Sequence, residues 1–320
     1  MSSTTSTIHA KSLTSQVGGH PGVLTTEDGE LLIKPALHHE LQFYQQLQSD
    51  PILSSLLPYI PKFFGTLKLE GELDESKVQE QTIPVKPYPV SEKKESIVLE
   101  NITNRFTKPN ILDIKLGTIF YDDRASPEKV ARMIETAKNT TSLETGMRLT
   151  GFQVHDNITG QAVNTPKSYG KSIKAADLLV GMTKFFPEGR EGSEASGEGS
   201  SGLPRAFLRP ILEGIIRDVK EIRETFGELE LRMVGGSLLI VYEADWDKAK
   251  EALENIDKEE VDDEEEDEDE DEDEKGLPFA VKLIDFAHTK VVTGEGPDEG
   301  VLLGIDSTIR LLNERLLQLL

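Results

Sequence analysis

The sequence predicts an α+β chain with two lobes, and three observations carry that reading. A short, hairpin-rich N-terminal part precedes a larger mixed part. Apolar residues recur at helical spacing in two long C-terminal segments, Pro204–Phe226 and Asp298–Leu320. Strands and helices are interleaved without any internal repeat, which disfavours a solenoid or a pure bundle.

Taken in order, residues 1–16 are rich in Ser and Thr and read as a flexible lead. Val23-Leu24 and Leu31-Leu32-Ile33 flank the turn Glu27-Asp28-Gly29-Glu30, which makes a hairpin. Leu41, Tyr44 and Leu47 place a helix over about His39–Gln48. A strand follows near Phe63–Leu69, then a charged, Pro-containing insertion at 70–95, then a strand around Ile97-Val98-Leu99. In Ile111–Gly117 the residues Leu112, Ile114 and Leu116 face one way, and Asp113, Lys115 and Gly117 the other. Ser126-Pro127-Glu128 opens a helix over 127–138, with Ser as N-cap and Pro in the first position. A second hairpin spans Arg148–Val163 and a helix spans Ile173–Phe185. The low-complexity loop at 187–203 reads as mobile. Apolar strands follow at Leu231–Glu243, broken by Gly235-Gly236, and at Ala280–Phe286.

Charge and composition narrow the function. The chain has 35 basic and 58 acidic residues, a net charge of −23, and 16 of the acids lie between Asp257 and Lys275. Thirteen acids run consecutively from Asp262 to Glu274, which repel one another and read as a solvated loop between two strands. An evenly basic nucleic-acid binder is excluded, while a local basic pocket is not. The absence of cysteine removes disulfides, thiolate metal sites and cysteine nucleophiles. With no signal peptide or membrane span in view, the expectation is an intracellular chain.

Three stretches carry chemistry. Lys34 ends a hairpin strand, and Glu40 in the next helix is a candidate ion-pair partner. Kinases use such a pair to hold a lysine against nucleotide phosphates. Asp113 and Lys115 share one face of a strand in Pro109–Thr118. In Leu283–Thr289, Asp285 stands at the exposed end of an apolar strand, a good place for a metal ligand. There is no Gly-x-Gly-x-x-Gly loop and no His-Arg-Asp motif, so an ordinary protein kinase is disfavoured. The segment Gly18-Gly19-His20-Pro21-Gly22 fits no phosphate-loop spacing.

Pro109-x-x-x-Asp113-x-Lys115-x-Gly117 resembles the signature of the inositol polyphosphate kinases at every defined position. Ile284-Asp285-Phe286 and Ser237-Leu238-Leu239 resemble two further elements of that family, in the same order. The likeness runs from about Gly18 to the C-terminal helix, and the compact helix 127–138 favours the fungal multikinase branch. The resemblance implies a two-lobed fold, distantly protein-kinase-like and SAICAR synthase-like. Its N-lobe would span 17–102, with a hinge near 100–102, and its C-lobe 103–320, including an acidic loop at 257–275.

For the site, the resemblance implies ATP with Mg2+, or Mn2+ in its place. Lys34 would hold phosphates, Glu100 and Ile102 would meet adenine through the backbone, and Asp285 with Ser237 would hold the metal. Asp113, assisted by Lys115, would orient the attacking hydroxyl. Lys115, Lys129, Arg132, Lys171 and His288 would meet substrate phosphates. Lys174 is a weaker candidate, and Arg148 is equally readable as half of a structural ion pair. The implied activity is phosphorylation of inositol 1,4,5-trisphosphate at the 6- and 3-hydroxyls, through tetrakisphosphate to pentakisphosphate, in nucleus and cytoplasm. Two rivals remain: an acidic-loop scaffold or transcription co-regulator for basic nuclear proteins, and a phosphoinositide lipid kinase. Neither direct nucleic-acid binding nor stable membrane insertion is expected.

Overall fold

The computed structural model describes residues 10–13, 17, 22–68, 71–73, 85–87, 95–189, 202–262 and 276–320. Gly18–Pro21 of the glycine-containing segment, residues 190–201 of the low-complexity loop and residues 263–275 of the acidic run lie outside them.

Two antiparallel five-stranded sheets organise the chain. The first is built from β1 (Ala10–Ser12), β2 (Leu24–Thr26), β3 (Leu31–Pro35), β4 (Phe63–Lys68) and β7 (Glu95–Glu100), in the order β1-β2-β3-β7-β4. Helix α1 (His38–Ser49) and a 3₁₀ segment, Leu53–Tyr59, lie between β3 and β4. The lead is therefore not wholly flexible, because Ala10–Ser12 pair with Leu24–Thr26 and extend the sheet at its edge. Within the insertion at 70–95, β5 (Gly71–Leu73) and β6 (Val85–Pro87) pair with each other.

The second sheet runs β10-β9-β8-β14-β15. Its strands are β8 (Pro109–Leu116), β9 (Met147–Asp156), β10 (Gln161–Thr165), β14 (Ser237–Glu243) and β15 (Phe279–Ile284). Strand β8 is central, so the alternation read from its sequence holds, but both of its faces are covered. Leu112, Ile114 and Leu116 have no exposed surface, and Asp113 is only 2% exposed. The face that carries Asp113 is therefore as dry as the apolar one at that position.

Helix α2 (Pro127–Asn139) begins as its sequence demands, with the Ser126 hydroxyl accepting from the Lys129 N–H at 3.3 Å. It is joined by α3 (Ser142–Thr145), α4 (Lys167–Ser172), α5 (Leu178–Phe185), α6 (Arg205–Gly227), α7 (Trp246–Asp262) and α8 (Glu299–Leu317). Two short ladders complete the set: β11 (Glu188–Gly189) with β12 (Leu203–Pro204), and β13 (Leu231–Met233) with β16 (Thr289–Val291). The predicted helix Ile173–Phe185 is broken, because Ile173 is extended and buried and a 3₁₀ turn precedes α5. Residues 257–262, expected in the acidic loop, continue α7 instead. The sequence reading missed α7 because its charges masked the spacing of Trp246, Ala249 and Leu253.

One core serves both sheets. Phe286, just past β15, stacks on Phe43 at 4.9 Å and meets Tyr44 edge-on at 5.7 Å, and all three are essentially inaccessible. These contacts fasten α1 to the second sheet. Glu243, 4% exposed, accepts the Thr107 and Lys108 N–H groups at 2.6 and 2.9 Å and so fixes the chain as it enters β8. A buried carboxylate needs such donors to be tolerated.

Phe286→Ala removes a ring that joins the two sheets, and should lower stability by about 3–5 kcal/mol. Denaturant unfolding measures this; a loss below about 1 kcal/mol would mean that the ring does not fasten them.

Candidate functional site

Lys34, at the end of β3, donates to Glu40 of α1 at 2.8 Å and to Asp285, past β15, at 2.6 Å. Glu40 is fully buried, and the side chains of Lys34 and Asp285 are 14% and 15% exposed. Burial disfavours the ammonium, but the charges of Asp285 and Glu40 outweigh it and hold Lys34 above the ordinary lysine range. The pair read from sequence is thus present, with Asp285 as a second anion.

Asp285 is strained. Its φ of 67° is left-handed, and among the described residues no other non-glycine residue has a positive φ. Asp tolerates that region better than most residues, at a cost of about 1–3 kcal/mol. The turn carries Asp285 out of the strand and aims it at Lys34, while Phe286 is driven into the core.

A cavity of about 150 Å3 opens beside this network. Its walls are apolar, with Val23, Leu32, Leu99, Ile102, Ile111 and Leu239 among them, and Lys34, Asp113 and Asp285 also line it. Glu100 and Ile102 line it too, in the segment that leaves the first sheet. The Ile102 N–H makes no hydrogen bond with the described residues, which leaves a donor in an apolar slot. Asn101 is spoken for: its N–H donates to Glu30 O at 2.8 Å and its side chain to Gly29 O at 2.7 Å.

Asp113 sits in the middle of the second sheet, paired with Leu239 and Gly151 in the flanking strands. One carboxylate oxygen has no partner among the described residues. Burial lifts its carboxyl above the usual range and Asp285 adds to that, while Lys115, the nearby Ser237 hydroxyl and Lys167 pull it back. Lys115 donates to Gly235 O at 2.6 Å, in the turn before β14. Ser237, fully buried, pairs in register with Lys115 on one side and with Ile284 on the other; its hydroxyl makes no hydrogen bond of ordinary geometry with the described residues, though it lies close enough to Asp113 to help hold that carboxyl down. An orphaned hydroxyl next to the residue that precedes Asp285 suits a divalent metal. Mg2+ and Mn2+ take one or two protein oxygens and complete their shell with phosphate and water. Among the described residues no cluster of three or more His, Cys, Asp or Glu could hold a metal ion by itself.

Arg148 and Thr150 of β9 extend the unpartnered set, since Nη1 and Oγ1 respectively are buried without a hydrogen bond. Thr150 is the extra residue at the bulge opposite Asp113 and Ile114. Arg148 forms no ion pair among the described residues; its guanidinium lies 5.5 Å over the Phe120 ring. Burial lowers its pKa and the nearby Asp113 charge opposes that. The structural ion pair that its sequence allowed is therefore not formed with any described residue.

His288 donates or accepts through Nδ1 with Asp122 at 2.7 Å, and Lys290 pairs with Asp123. These contacts tie the segment before α2 to β16, beside a second cleft of about 750 Å3. The remaining sequence candidates are looser. Lys129 lies near enough to Asp122 to help keep its carboxyl low, after the His288 hydrogen bond and in spite of partial burial. The side chains of Arg132 and Lys171 are exposed and unpaired with the described residues, and neither residue lines either cavity. Lys174 is exposed and caps a 3₁₀ turn. Lys167, which the sequence reading passed over, is the α4 lysine whose charge reaches Asp113. Its only signal was its place directly after Pro166 at a helix start.

The inositol polyphosphate kinase family matches residues 96–313, more than half of the chain. This chain belongs to that family. It is similar to the inositol polyphosphate multikinase of Saccharomyces cerevisiae, at 31% identity over 92% of this chain and 95% of the relative. It is also 31% identical to mouse inositol hexakisphosphate kinase 2, over 68% of this chain and 48% of that protein. Among solved structures, the S. cerevisiae inositol phosphate multikinase Ipk2 in complex with ADP and Mn2+ superimposes with a TM-score of 0.63 at 27% identity. That match covers 89% of this chain and 99% of the other. The chain is therefore an inositol polyphosphate kinase with the α+β fold of its family.

Ionising Asp113 in its buried site costs stability, because its folded pKa is raised above the unfolded value. That penalty is absent below the ordinary carboxylate range and complete above the raised pKa. Asp113→Asn should therefore raise Tm at neutral pH, and the gain should shrink as pH falls toward 4. A neutral-pH Tm below that of wild type would contradict the burial argument.

Proposed function

We propose that this kinase phosphorylates inositol 1,4,5-trisphosphate at the 6- and 3-hydroxyls, through tetrakisphosphate to pentakisphosphate, with ATP and Mg2+. The observation that carries the reading is one cavity lined by Lys34, Asp113 and Asp285, bordered by a hinge N–H and by buried polar groups that have no partner.

The residues divide the work. The apolar slot takes adenine, with Glu100 and Ile102 offering backbone groups. Lys34 moves from carboxylate to phosphate with little travel, since Asp285 already lies within 2.6 Å of it. Asp285 and Ser237 would hold a divalent ion, which would supply neutralising charge for the transferring phosphoryl group. Asp113 accepts a hydrogen bond from the attacking hydroxyl through its free oxygen and aligns it. A raised pKa suits a weak base, and a loose transition state needs positioning more than deprotonation. Lys115 steadies that face. Arg148, Lys167, His288, Lys129 and Arg132 supply cations for a polyanionic substrate, with Lys171 further out.

The acidic run would serve separately, as a docking surface for basic nuclear proteins, and the enzyme would work in nucleus and cytoplasm. Neither role enters the catalytic mechanism.

Incubation with ATP, magnesium and inositol 1,4,5-trisphosphate, with anion-exchange separation of the products, tests the reading. Tetrakis- and pentakisphosphates are expected, and a trisphosphate left unchanged would sink it. Within that assay, Lys129→Ala, Arg132→Ala and Arg148→Ala should each raise KM for the inositol phosphate, at about 1.5–3 kcal/mol per lost charged hydrogen bond and less where the site is wet. KM for ATP should hardly move. Asp113→Asn should fall on kcat instead. If the cation variants raise KM for ATP alone, they belong to the nucleotide side.

A further inference from the structure

The chain contains two Ser/Thr–Pro pairs, Ser126-Pro127 and Thr165-Pro166. Only the first has a basic residue three places after the hydroxyl, in Ser126-Pro127-Glu128-Lys129. Thr165 is held in the β10 ladder opposite Phe152. Ser126 is exposed and has extended backbone, with φ −63° and ψ 154°. The helix it caps is lightly anchored: Ala137 is the one buried residue of α2, and the helix packs chiefly on the four-residue α3. Its first turn can open without exposing a core, as an enzyme that binds an extended peptide requires.

We propose that Ser126 is a phosphorylation site for a proline-directed protein kinase, and that phosphate there weakens binding of the inositol phosphate. The proposal rests on the reading of α2 as a substrate-facing helix. Pro127 has no N–H to satisfy, so a recognition pocket can close on its ring, and Lys129 offers a cation to an acidic recess. In the transfer, the Ser126 oxygen attacks the γ-phosphorus of ATP bound to that kinase. The new O–P bond replaces the bond to ADP, and the hydroxyl proton passes to that kinase's base.

The product adds nearly two negative charges at the N-cap. There it accepts from the Lys129 N–H now bonded to the Ser126 hydroxyl, and the helix dipole favours it, so α2 stays folded. The effect is electrostatic. Asp122, Asp123 and Glu128 are already acidic neighbours in sequence. Lys129 and Arg124 are the nearby cations, and each one drawn to the phosphoserine is withdrawn from a polyanionic substrate.

The test treats the full chain with ATP and a purified proline-directed protein kinase, maps the phosphate by mass spectrometry, and repeats the kinetics. Ser126→Asn keeps a competent cap but cannot be modified. The expected result is phosphate at Ser126, absent from Ser126→Asn and reduced in Pro127→Ala. KM for inositol 1,4,5-trisphosphate should rise roughly tenfold, the scale of one lost charged contact. KM for ATP and the circular dichroism should stay unchanged. An active protein that takes no phosphate at Ser126, while a peptide of residues 120–134 does, overturns the proposal alone. So does a phosphorylated protein with an unchanged KM. An unmodified protein inactive on the trisphosphate sinks the functional reading, and the regulatory half of the proposal with it.

Discussion

Lys34 ties the molecule's two sheets together. Its ammonium, supplied by the first sheet, lies between a fully buried Glu40 and an Asp285 supplied by the second. Two carboxylates so close and so dry would repel each other without it, and removing one partner of a buried pair costs more than the pair itself contributes. The geometry therefore demands that α1, β3 and the end of β15 meet at one point. Phe286 meets the same demand from the apolar side, because the turn that aims Asp285 at Lys34 also drives the next ring between Phe43 and Tyr44. The left-handed backbone of Asp285 is tolerated because packing on one side and an ion pair on the other both fix it.

Beside that anchor the second sheet carries polar groups that the fold does not satisfy. Asp113, Arg148, Thr150 and Ser237 each bury an atom with no hydrogen-bond partner among the described residues. Unpaired buried groups are costly, and under the proposed function a bound ligand would complete the bonding of these four on strands β8, β9 and β14. The segment after β7 is built the opposite way: Asn101 is engaged with Glu30 and Gly29, while the Ile102 N–H makes no hydrogen bond with the described residues.

Much of this was legible in the sequence, for identifiable reasons. Lys34, Glu40, Asp113 and Asp285 stand in short motifs whose spacing is set by local backbone, so they could be picked out as candidates without a fold, and the structure brings Lys34, Glu40 and Asp285 into contact. Helix α2 announced itself through Ser126, Pro127 and Glu128. What escaped depends on distant partners or on masked patterns. Helix α7 was hidden by its acids, and the strand Ala10–Ser12 by a Ser/Thr-rich context that gives no alternation. The burial of Asp113 follows from β8 being central, which no single strand reveals. Lys167 reaches Asp113 only because α4 folds back on β9, and Arg148 lost its expected ion pair for an equally non-local reason. Lys171 shows the converse: a basic residue at a plausible spacing that the fold leaves in solvent.

The most direct measurement is Mn2+ binding in the presence of ADP, followed by electron paramagnetic resonance, in wild type and in Asp285→Asn. Asn tolerates the left-handed backbone, so the turn should persist while the anionic metal ligand is lost. If Asp285 is the point on which nucleotide, metal and both sheets converge, wild type binds one Mn2+ tightly with ADP. The variant should lose that affinity by at least about tenfold and still bind ADP without metal. Equal Mn2+ affinity in the two proteins would contradict it, and would place the metal elsewhere.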